Sequence, residues 1–268
     1  MLFYNYNKFW NYKRIAVLFL GIFLVNPPAN AQLKDPGLSI SVEPSYGNRI
    51  LIFKTDVSQA YKDSLNKADH GRLALGANLM VSFSTRKDYR VYTGIQFHNF
   101  GFTRKKENLK FLDTIHPQIG RVNDLSQTGG AYVDFHYRYY YLSVPLLFSK
   151  KISGKSLKNT SIHWMYGGSA SVLIKHDIFA KFHGFSTRGG KKEYILDNSS
   201  GQPERINVNL QTGLRIENAL YGDETFVYLQ PEILLPVLNA NGSKERHRLW
   251  TLGIQVGIYY QPDQKKDR

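Results

Sequence analysis

Apolar and polar residues alternate with a period of two over about eight separate stretches of this 268-residue sequence. Because successive side chains of a β-strand point to opposite faces, each stretch predicts a strand with one apolar and one polar face. Two stretches, Arg72 to Ser84 and Arg205 to Glu217, keep the alternation almost throughout. The other predicted strands are Gly37 to Tyr46, Tyr89 to Phe102, Tyr132 to Phe148, Ser161 to Ile174, Thr225 to Val237 and Arg248 to Tyr260.

The composition of the polar face distinguishes a soluble sheet from a membrane barrel. This face consists of Ser, Gly, Asn, Gln and Tyr with a few carboxylates and one or two Arg, and it contains almost no Lys. A strand face that meets water accepts Lys and Glu freely, whereas the narrow interior of a small barrel favours small side chains and hydrogen-bonded amides. The sequence therefore predicts an all-β fold, an eight-stranded antiparallel up-and-down transmembrane β-barrel whose apolar face meets lipid.

Several aromatic residues lie toward the ends of the predicted strands. Amphipathic aromatic rings favour the head-group level of a membrane, so we expect these residues to form girdles around the barrel. They are Tyr139, Tyr140, Tyr141, Phe148, Trp164, Trp250, Tyr259 and Tyr260.

The predicted connections between strands alternate between long and short. Bacterial barrels with both termini in the periplasm combine long outer loops with short periplasmic turns, so the alternation predicts periplasmic mature termini. The last outer loop, 238–247, is of modest length. The long connections are 47–71, 103–131 and 175–204, and the short ones are 85–88, 149–160 and 218–224.

The first residues of the sequence have the properties of a secretory signal peptide. Residues 1–14 carry three positive charges and no negative one, and Ile15 to Val25 form an apolar run. Small residues follow, and we predict cleavage between Ala31 and Gln32. At about 1.5 Å per residue this run is too short to cross a hydrocarbon core of roughly 30 Å. The predicted domains are a signal peptide over 1–31, an outer-membrane barrel over 32–260 and a polar periplasmic tail over 261–268.

Composition excludes several classes of function. The sequence contains no Cys, which excludes a disulfide-stapled scaffold, a thiolate metal site and a cysteine nucleophile. The formal net charge is +14, but the cations lie in the predicted connections instead of along one helix or ribbon with stacking aromatics. We therefore expect no nucleic-acid partner, and we expect the cations to face lipopolysaccharide phosphates.

Nine polar residues on the predicted inner face form a candidate network that fills the barrel. A bare charge there would be costly, whereas a paired and hydrogen-bonded one is tolerated. An eight-stranded barrel has room for side chains and not for an open pore, so a solute channel is disfavoured. The nine residues are Glu43, Gln96, Asn209, Gln211, Arg215, Glu217, Gln230, Glu232 and Gln255.

No strong catalytic signature is present, and we predict no catalytic residues, no cofactor and no metal site. The eight His residues show no metal-ligand spacing. His98 and His163 are predicted to point inward, and a barrel enzyme acting on lipid or peptide could use such a His beside a Ser or a carboxylate. That enzyme is one alternative, and a soluble lipocalin-like secreted binder is another.

The chain resembles the small outer-membrane β-barrels of Bacteroidetes-type bacteria that are often labelled PorT-like. Three segments carry the resemblance over most of the mature chain: 141–147 (YLSVPLL), 166–170 (YGGSA) and 252–258 (LGIQVGI). The resemblance implies a barrel in the outer membrane. The family takes its name from a protein needed for type IX secretion, so an accessory role in a secretion system is one function that the resemblance implies.

The last predicted strand also resembles the signal by which barrel-assembly machinery recognises a final strand. The residues that match are Thr251, Gly253, Val256 and Ile258. Such strands commonly finish on an aromatic residue at the terminus, whereas Tyr260 is followed here by 261–268.

Together these patterns predict a non-enzymatic protein of the Gram-negative cell envelope, integral to the outer membrane. Its long outer loops would carry a structural or binding role. The expected partners are outer-membrane lipid and lipopolysaccharide, the barrel-assembly machinery, and envelope or secretion proteins.

Overall fold

Twelve strands and one helix occur in the part of the chain that the computed structural model describes. All of them, apart from the first residue of β1, belong to one compact unit, Asp35–Arg268. The described residues are 34–53, 58–86, 88–107, 115–116, 120–124, 132–152, 160–183, 185–187, 193–196, 203–221, 224–240 and 245–262. The predicted signal peptide and the residues of its cleavage site, Ala31 and Gln32, lie outside these ranges.

Eight long strands form a closed antiparallel ring. Its order is β1, β2, β3, β6, β7, β10, β11, β12 and back to β1. These strands are β1 (Lys34–Phe53), β2 (Asp69–Arg86), β3 (Tyr89–Glu107), β6 (Tyr132–Lys151), β7 (Thr160–His183), β10 (Ile206–Tyr221), β11 (Thr225–Pro236) and β12 (Glu245–Tyr260).

The ring closes where β12 pairs with β1, in a register that runs from Leu38 opposite Tyr260 to Phe53 opposite Glu245. Closure gives the backbone groups of both strands a partner, which a barrel in lipid requires because no water is available to them. The prediction of an eight-stranded antiparallel barrel is confirmed.

The two faces of the strands differ as the alternation predicted. Leu73, Ile40 and Leu75 are 79%, 62% and 60% exposed on the exterior, while the neighbouring polar side chains are buried inside. Exposed Leu, Ile and Val from all eight strands make one continuous surface, called here the apolar belt. A soluble monomer rarely exposes so large an apolar surface, so the belt is the lipid-contacting surface of a membrane-spanning barrel.

The barrel has two unlike ends. At the short-turn end, only 87–88 separate β2 from β3, and 222–224 separate β10 from β11. At the long-loop end, β3 and β7 run on to Glu107 and His183, well past the strand ends that the alternation predicts, while β6 begins at Tyr132 as predicted. The three strands stay paired there, Lys106 with Val133 and Val133 with Phe182, because pairing satisfies their backbone groups.

Other elements belong to the long connections. Helix α1 (Gln59–Ala68) lies within 47–71, which the sequence predicts to be a loop. Ser58 caps it by accepting a hydrogen bond from the Tyr61 backbone N–H, and its Leu65 is buried. No helix of the described residues is long and apolar enough to cross a membrane. The short strands are β4 (Ile115–His116), β5 (Gly120–Asp124), β8 (Phe185–Thr187) and β9 (Glu193–Leu196).

Two glycines bend the wall of the barrel at equivalent places. Gly94 in β3 and Gly167 in β7 have φ angles of +151° and +157°. They pair with Met80 and Leu147, and a Cβ at either glycine would meet a backbone carbonyl of the neighbouring strand. L-residues rarely adopt this backbone conformation, so these positions need glycine.

The expected aromatic girdle is only partly correct. Tyr139, Tyr141 and Tyr259 are at most 2% exposed and point into the barrel, so they cannot lie at the head-group level. Alternate residues of a strand share one face, and Tyr139 and Tyr141 therefore lie on the same inner face of β6 as the buried Ser143. Trp164 and Tyr260 do lie on the exterior, 48% and 44% exposed.

Candidate functional site

All nine polar residues that the sequence assigned to the interior lie inside the barrel, each at most 3% exposed. Most of them belong to one of two clusters, which lie at different positions along the barrel axis. Arg215 and Glu217 form one with Arg90 and three Tyr rings, called here the arginine cluster. Glu43 and Glu232 form the other with surrounding amides, called here the carboxylate cluster.

The arginine cluster surrounds a fully buried guanidinium with aromatic faces. The Arg215 Cζ atom lies 3.7 Å from the centre of the Tyr228 ring, 5.0 Å from that of Tyr92 and 5.1 Å from that of Tyr259. Its Nε lies 2.8 Å from Glu217 Oε1. Ring quadrupoles and one carboxylate together replace the water that this cation loses.

Glu217 also binds a second cation. Arg90 Nη1 donates to both carboxylate oxygens, at 3.3 Å to Oε1 and 3.0 Å to Oε2. The Arg90 guanidinium packs over the Tyr259 ring, with Cζ 5.2 Å from the ring centre, and donates to Gln261 Oε1. Glu217 therefore links two guanidinium groups at the short-turn end of the barrel.

The carboxylate cluster relies on amide donors instead of cations. Glu232 Oε2 accepts hydrogen bonds from Gln211 at 2.9 Å, Gln230 at 2.6 Å and Gln255 at 2.8 Å. Glu43 Oε2 lies 3.5 Å from both Asn78 Nδ2 and His98 Nδ1. No Lys or Arg contact to either carboxylate is found in the described chain.

A ladder of small polar groups lies beside the carboxylate cluster. Ser143 and Ser171 hydroxyls are 2.8 Å apart, and Asn209 Nδ2 donates to Ser171 Oγ at 2.9 Å. Gln96, the remaining residue of the nine, has its Oε1 3.4 Å from His98 Nε2. These contacts satisfy polar groups between neighbouring strands and fill the middle of the barrel.

His98 and His163 both point inward, but neither lies in an arrangement suited to nucleophilic catalysis. His163 Nε2 contacts Ser161 Oγ at 3.1 Å and Glu217 Oε2 at 3.4 Å, both through the same nitrogen. A Ser–His–acid relay needs the hydroxyl and the carboxylate on different ring nitrogens. His98 Nδ1 lies 3.5 Å from Glu43, and both rings are buried deep in the barrel.

An aromatic layer closes the interior toward the long-loop end. Tyr139 OH and His247 Nε2 hydrogen-bond at 2.9 Å. The buried apolar members of the layer are Phe100, Phe102, Tyr139, Tyr141, Leu234, Ala240 and Leu249.

Ion pairs tie β1, β2 and β3 together above this layer. Asp69 pairs with Arg49, and Asp69 Oδ1 lies 2.9 Å from Arg104 Nε. The Arg49 guanidinium also packs over the Phe102 ring, with Cζ 4.6 Å from its centre. With charged clusters below and aromatic rings above, the interior is filled by side chains, which favours a closed barrel over a channel.

On the exterior, a basic patch follows directly on the apolar belt at the long-loop end. Arg72 of β2 and Arg138 of β6 lie on the lipid-facing side of the extended strands. Lys175 of β7 is also there, with its Nζ 2.7 Å from Asp177 Oδ2. No group of three or more His, Asp or Glu suited to a metal ion occurs among the residues that the structure describes.

The four residues of the candidate assembly signal lie on β12, the strand that closes the barrel. Thr251 and Gly253 face inward, and Val256 and Ile258 are each 48% exposed on the belt. Packing inside the barrel also favours glycine at position 253, because a Cβ there would lie 2.6 Å from Glu43 Oε1. Recognition by assembly machinery stays a prediction.

The predicted network omits several interior residues, among them Arg49, Arg90 and Tyr92. The alternation does place Tyr92 and Tyr228 on the same face as Gln96 and Gln230, but the predicted network includes no aromatic residues. Arg49 carries no such signal, because it lies beyond the last clearly alternating residue of the first predicted strand.

The fold and interior define a class of protein, an eight-stranded membrane-spanning β-barrel filled with side chains. No protein-family model matches the sequence, and no curated protein matches it. Solved structures do resemble the fold. The outer membrane protein OprG from Pseudomonas aeruginosa is 10% identical with a TM-score of 0.42, and the alignment covers 87% of this chain and 98% of that one.

Two further solved structures give similar values. For Neisserial surface protein A (NspA), identity is 7% and the TM-score 0.37, with 84% of this chain and 97% of that chain covered. For the outer membrane protease OmpT from Escherichia coli, identity is 6% and the TM-score 0.43, with 86% and 98% covered. The assignment of the fold rests on this chain's own strand pairing.

Proposed function

We propose that this chain is a non-enzymatic outer-membrane β-barrel protein of a Gram-negative cell envelope, with a structural or binding role at its long-loop end. The observation that carries the proposal is the apolar belt, which surrounds a ring of strands with a buried polar interior. Only a closed barrel satisfies its backbone hydrogen bonds in lipid by pairing between strands.

The outer membrane is supported by features of the sequence. A predicted signal peptide would export the chain, and the predicted assembly signal on β12 fits insertion by barrel-assembly machinery. Under this proposal the short-turn end faces the periplasm and the long-loop end faces the exterior, as in bacterial barrels generally. The PorT-like resemblance adds an accessory role in a secretion system as one specific form of the function.

The filled interior favours binding or scaffolding over transport. Arg215 and its three Tyr rings occupy the short-turn end, and the aromatic layer occupies the long-loop end. A solute would have to displace buried side chains at both ends of the barrel. The purified barrel in a planar lipid bilayer should therefore show no stable single-channel conductance.

Fractionation tests the proposed location. We expect the protein to stay in the membrane pellet through washes with high salt and alkaline carbonate, to require detergent for release, and to sediment with the outer membrane on a density gradient. A closed barrel should also migrate differently on a gel before and after boiling. Release by salt, with one gel mobility, would support the soluble lipocalin-like binder instead.

An activity assay tests the non-enzymatic role. Purified barrel is incubated with phospholipid, lipopolysaccharide and peptide substrates, alongside the His98→Ala and His163→Ala variants. We expect no turnover above a detergent blank in any sample. Turnover that disappears in either variant, with heat-modifiable mobility unchanged, would establish the alternative of a barrel enzyme acting on lipid or peptide.

A further inference from the structure

A β-bulge in β2 places an arginine on the outside of the barrel where strict alternation would place it inside. The register of β2 with β3 shifts by one residue between Gly71 and Ala77. Below the shift the even residues Asn78 and Met80 are buried, and above it Asp69 is buried. Arg72 therefore turns outward, as bulges commonly re-aim a side chain.

A second arginine lies beside the first. Arg138 of β6 pairs with Gly101 of β3, and a Cβ at Gly101 would lie 2.8 Å from Arg72 Nη1. The Arg72 side chain thus lies over Gly101, the residue that pairs with Arg138. The charges of Arg72 and Arg138 interact across this glycine. The two guanidinium groups repel each other at short range.

Both guanidinium groups are held in place with donors unused. Arg72 Nη1 donates to Asn99 Oδ1 at 3.0 Å and to the Phe100 carbonyl at 3.4 Å. Arg138 stacks on Phe179, its Cζ 4.1 Å from the ring centre, and its buried Nε has no hydrogen-bond partner among the described residues. Stacking uses the face of a guanidinium and leaves its N–H edge for an anion.

Carboxylates do not balance this pair. Asp177 is the register partner of Arg138, but its Oδ2 is bound by Lys175 Nζ at 2.7 Å. Arg72, Arg138 and Lys175 therefore share one carboxylate in the described part of the patch. The excess charge and the unused donors match an anion with several oxygens.

The position of the patch indicates where that anion comes from. Tyr140 follows Arg138 by two residues on the same face, about 7 Å along the strand. Tyr140 stacks on Phe97, with ring centres 6.1 Å apart, and Leu142 continues the exterior into the belt. A lipid whose acyl chains cover these residues would hold its head group at the two arginines.

We propose that Arg72 and Arg138 form a binding site for the phosphate group of a phosphorylated lipid in the outer leaflet. The inference rests on the proposed function for its location, since the long-loop end must lie in that leaflet. The Arg72 and Arg138 edges bind the phosphate oxygens as charge-assisted hydrogen bonds, and the acyl chains pack on the belt.

The test measures lipid binding by the full barrel in non-ionic detergent, using native mass spectrometry with diphosphorylated lipid A as the probe. Arg72→Gln and Arg138→Gln should each weaken binding about tenfold, because each removes charge-assisted bonds to phosphate. Lys105→Gln is the matched control, since it removes one charge from the same face where Glu107 already binds Lys105 at 2.7 Å. Heat-modifiable mobility checks that every variant is folded.

Three results would overturn the inference. The first is equal binding of enzymatically dephosphorylated lipid A, and the second is the same loss in Lys105→Gln. The third is competition by inorganic phosphate at concentrations close to the lipid's own Kd, which would make the patch a site for free phosphate. A protein that fractionates with the outer membrane and fails these tests would refute this site and leave the proposed function intact.

Discussion

The two charged clusters inside the barrel stabilise opposite charges by different means. In the arginine cluster a cation is surrounded by ring faces and shares Glu217 with Arg90. In the carboxylate cluster the carboxyl group of Glu232 receives three amide N–H groups on one oxygen. Opposite charge is the main compensation in the first cluster, and neutral hydrogen bonding is the main compensation in the second.

This difference indicates which substitutions each cluster tolerates. A buried ion pair loses most when one partner is removed, because the other charge remains without compensation. A carboxyl group that only accepts hydrogen bonds can be replaced by an amide that still accepts them. The clusters should therefore respond unequally to the same neutralising change.

Arg215→Ala should have the largest effect. It leaves Glu217 with one guanidinium and opens a cavity between three Tyr rings, so the free energy of unfolding should fall by about 3 to 5 kcal/mol. Guanidinium unfolding of the barrel in lipid vesicles measures it. Lys175→Ala, on the exposed patch, serves as a control and should leave the free energy of unfolding unchanged within the error of its measurement. A loss under about 1 kcal/mol in Arg215→Ala would contradict the role of the cluster.

The second prediction compares two identical substitutions. Glu217→Gln removes a charge that binds Arg215 and Arg90, and it should cost about 2 to 3 kcal/mol. Glu232→Gln keeps an acceptor for the three amides and removes repulsion from Glu43, so it should stay within about 1 kcal/mol. The same unfolding measurement applies. Equal losses in the two variants would show that the clusters do not differ as described.

The third prediction concerns space in the carboxylate cluster. Gly253→Ala places a methyl group against Glu43, so we expect a loss of about 1 to 2 kcal/mol from overpacking. Glu43→Ala in the same chain should recover part of that loss, which a double-mutant cycle detects as a favourable coupling. Additive losses would mean that Gly253 matters for another reason, such as the predicted assembly signal.

The smallest effect is expected outside the barrel wall. Lys105→Ala breaks an ion pair with Glu107 that is open to solvent, and water and salt screen such pairs, so the free energy of unfolding should stay within the error of its measurement. Hydrogen bonding to Glu107 raises the pKa of Lys105, but exposure leaves little stability in the contact. A loss comparable to that of Glu217→Gln would remove the contrast between buried and exposed charge.

Strand alternation predicted the barrel because the membrane imposes it on every strand between the two ends. Gln211, Gln230 and Gln255 could be assigned to the interior, since each follows an exposed apolar residue, Leu210, Leu229 and Ile254. The alternation could not predict that their amides converge on Glu232, because that requires the register between β10, β11 and β12. Register is a property of two paired strands, and the alternation within one strand does not show which residues of its neighbour it pairs with.

The parts that the sequence did not predict lie beyond the apolar belt. There β7 carries Lys175, His176 and Asp177 in succession, so neither face is uniformly apolar and the period-two signal ends. The bulge at Arg72 also interrupts the period-two pattern, because one extra residue exchanges the inner and outer faces of β2. Lipid no longer constrains the pattern in these segments, while backbone pairing continues.

The seam between β1 and β12 sets the order of events during folding. Ser41 and Gln255, which hydrogen-bond across this seam, are 214 residues apart in the chain. Contacts so distant in sequence form slowly, and the six strands between them must be in place first. Until β12 arrives, the growing sheet exposes two unpaired edges, and another chain in the same state could pair with either of them.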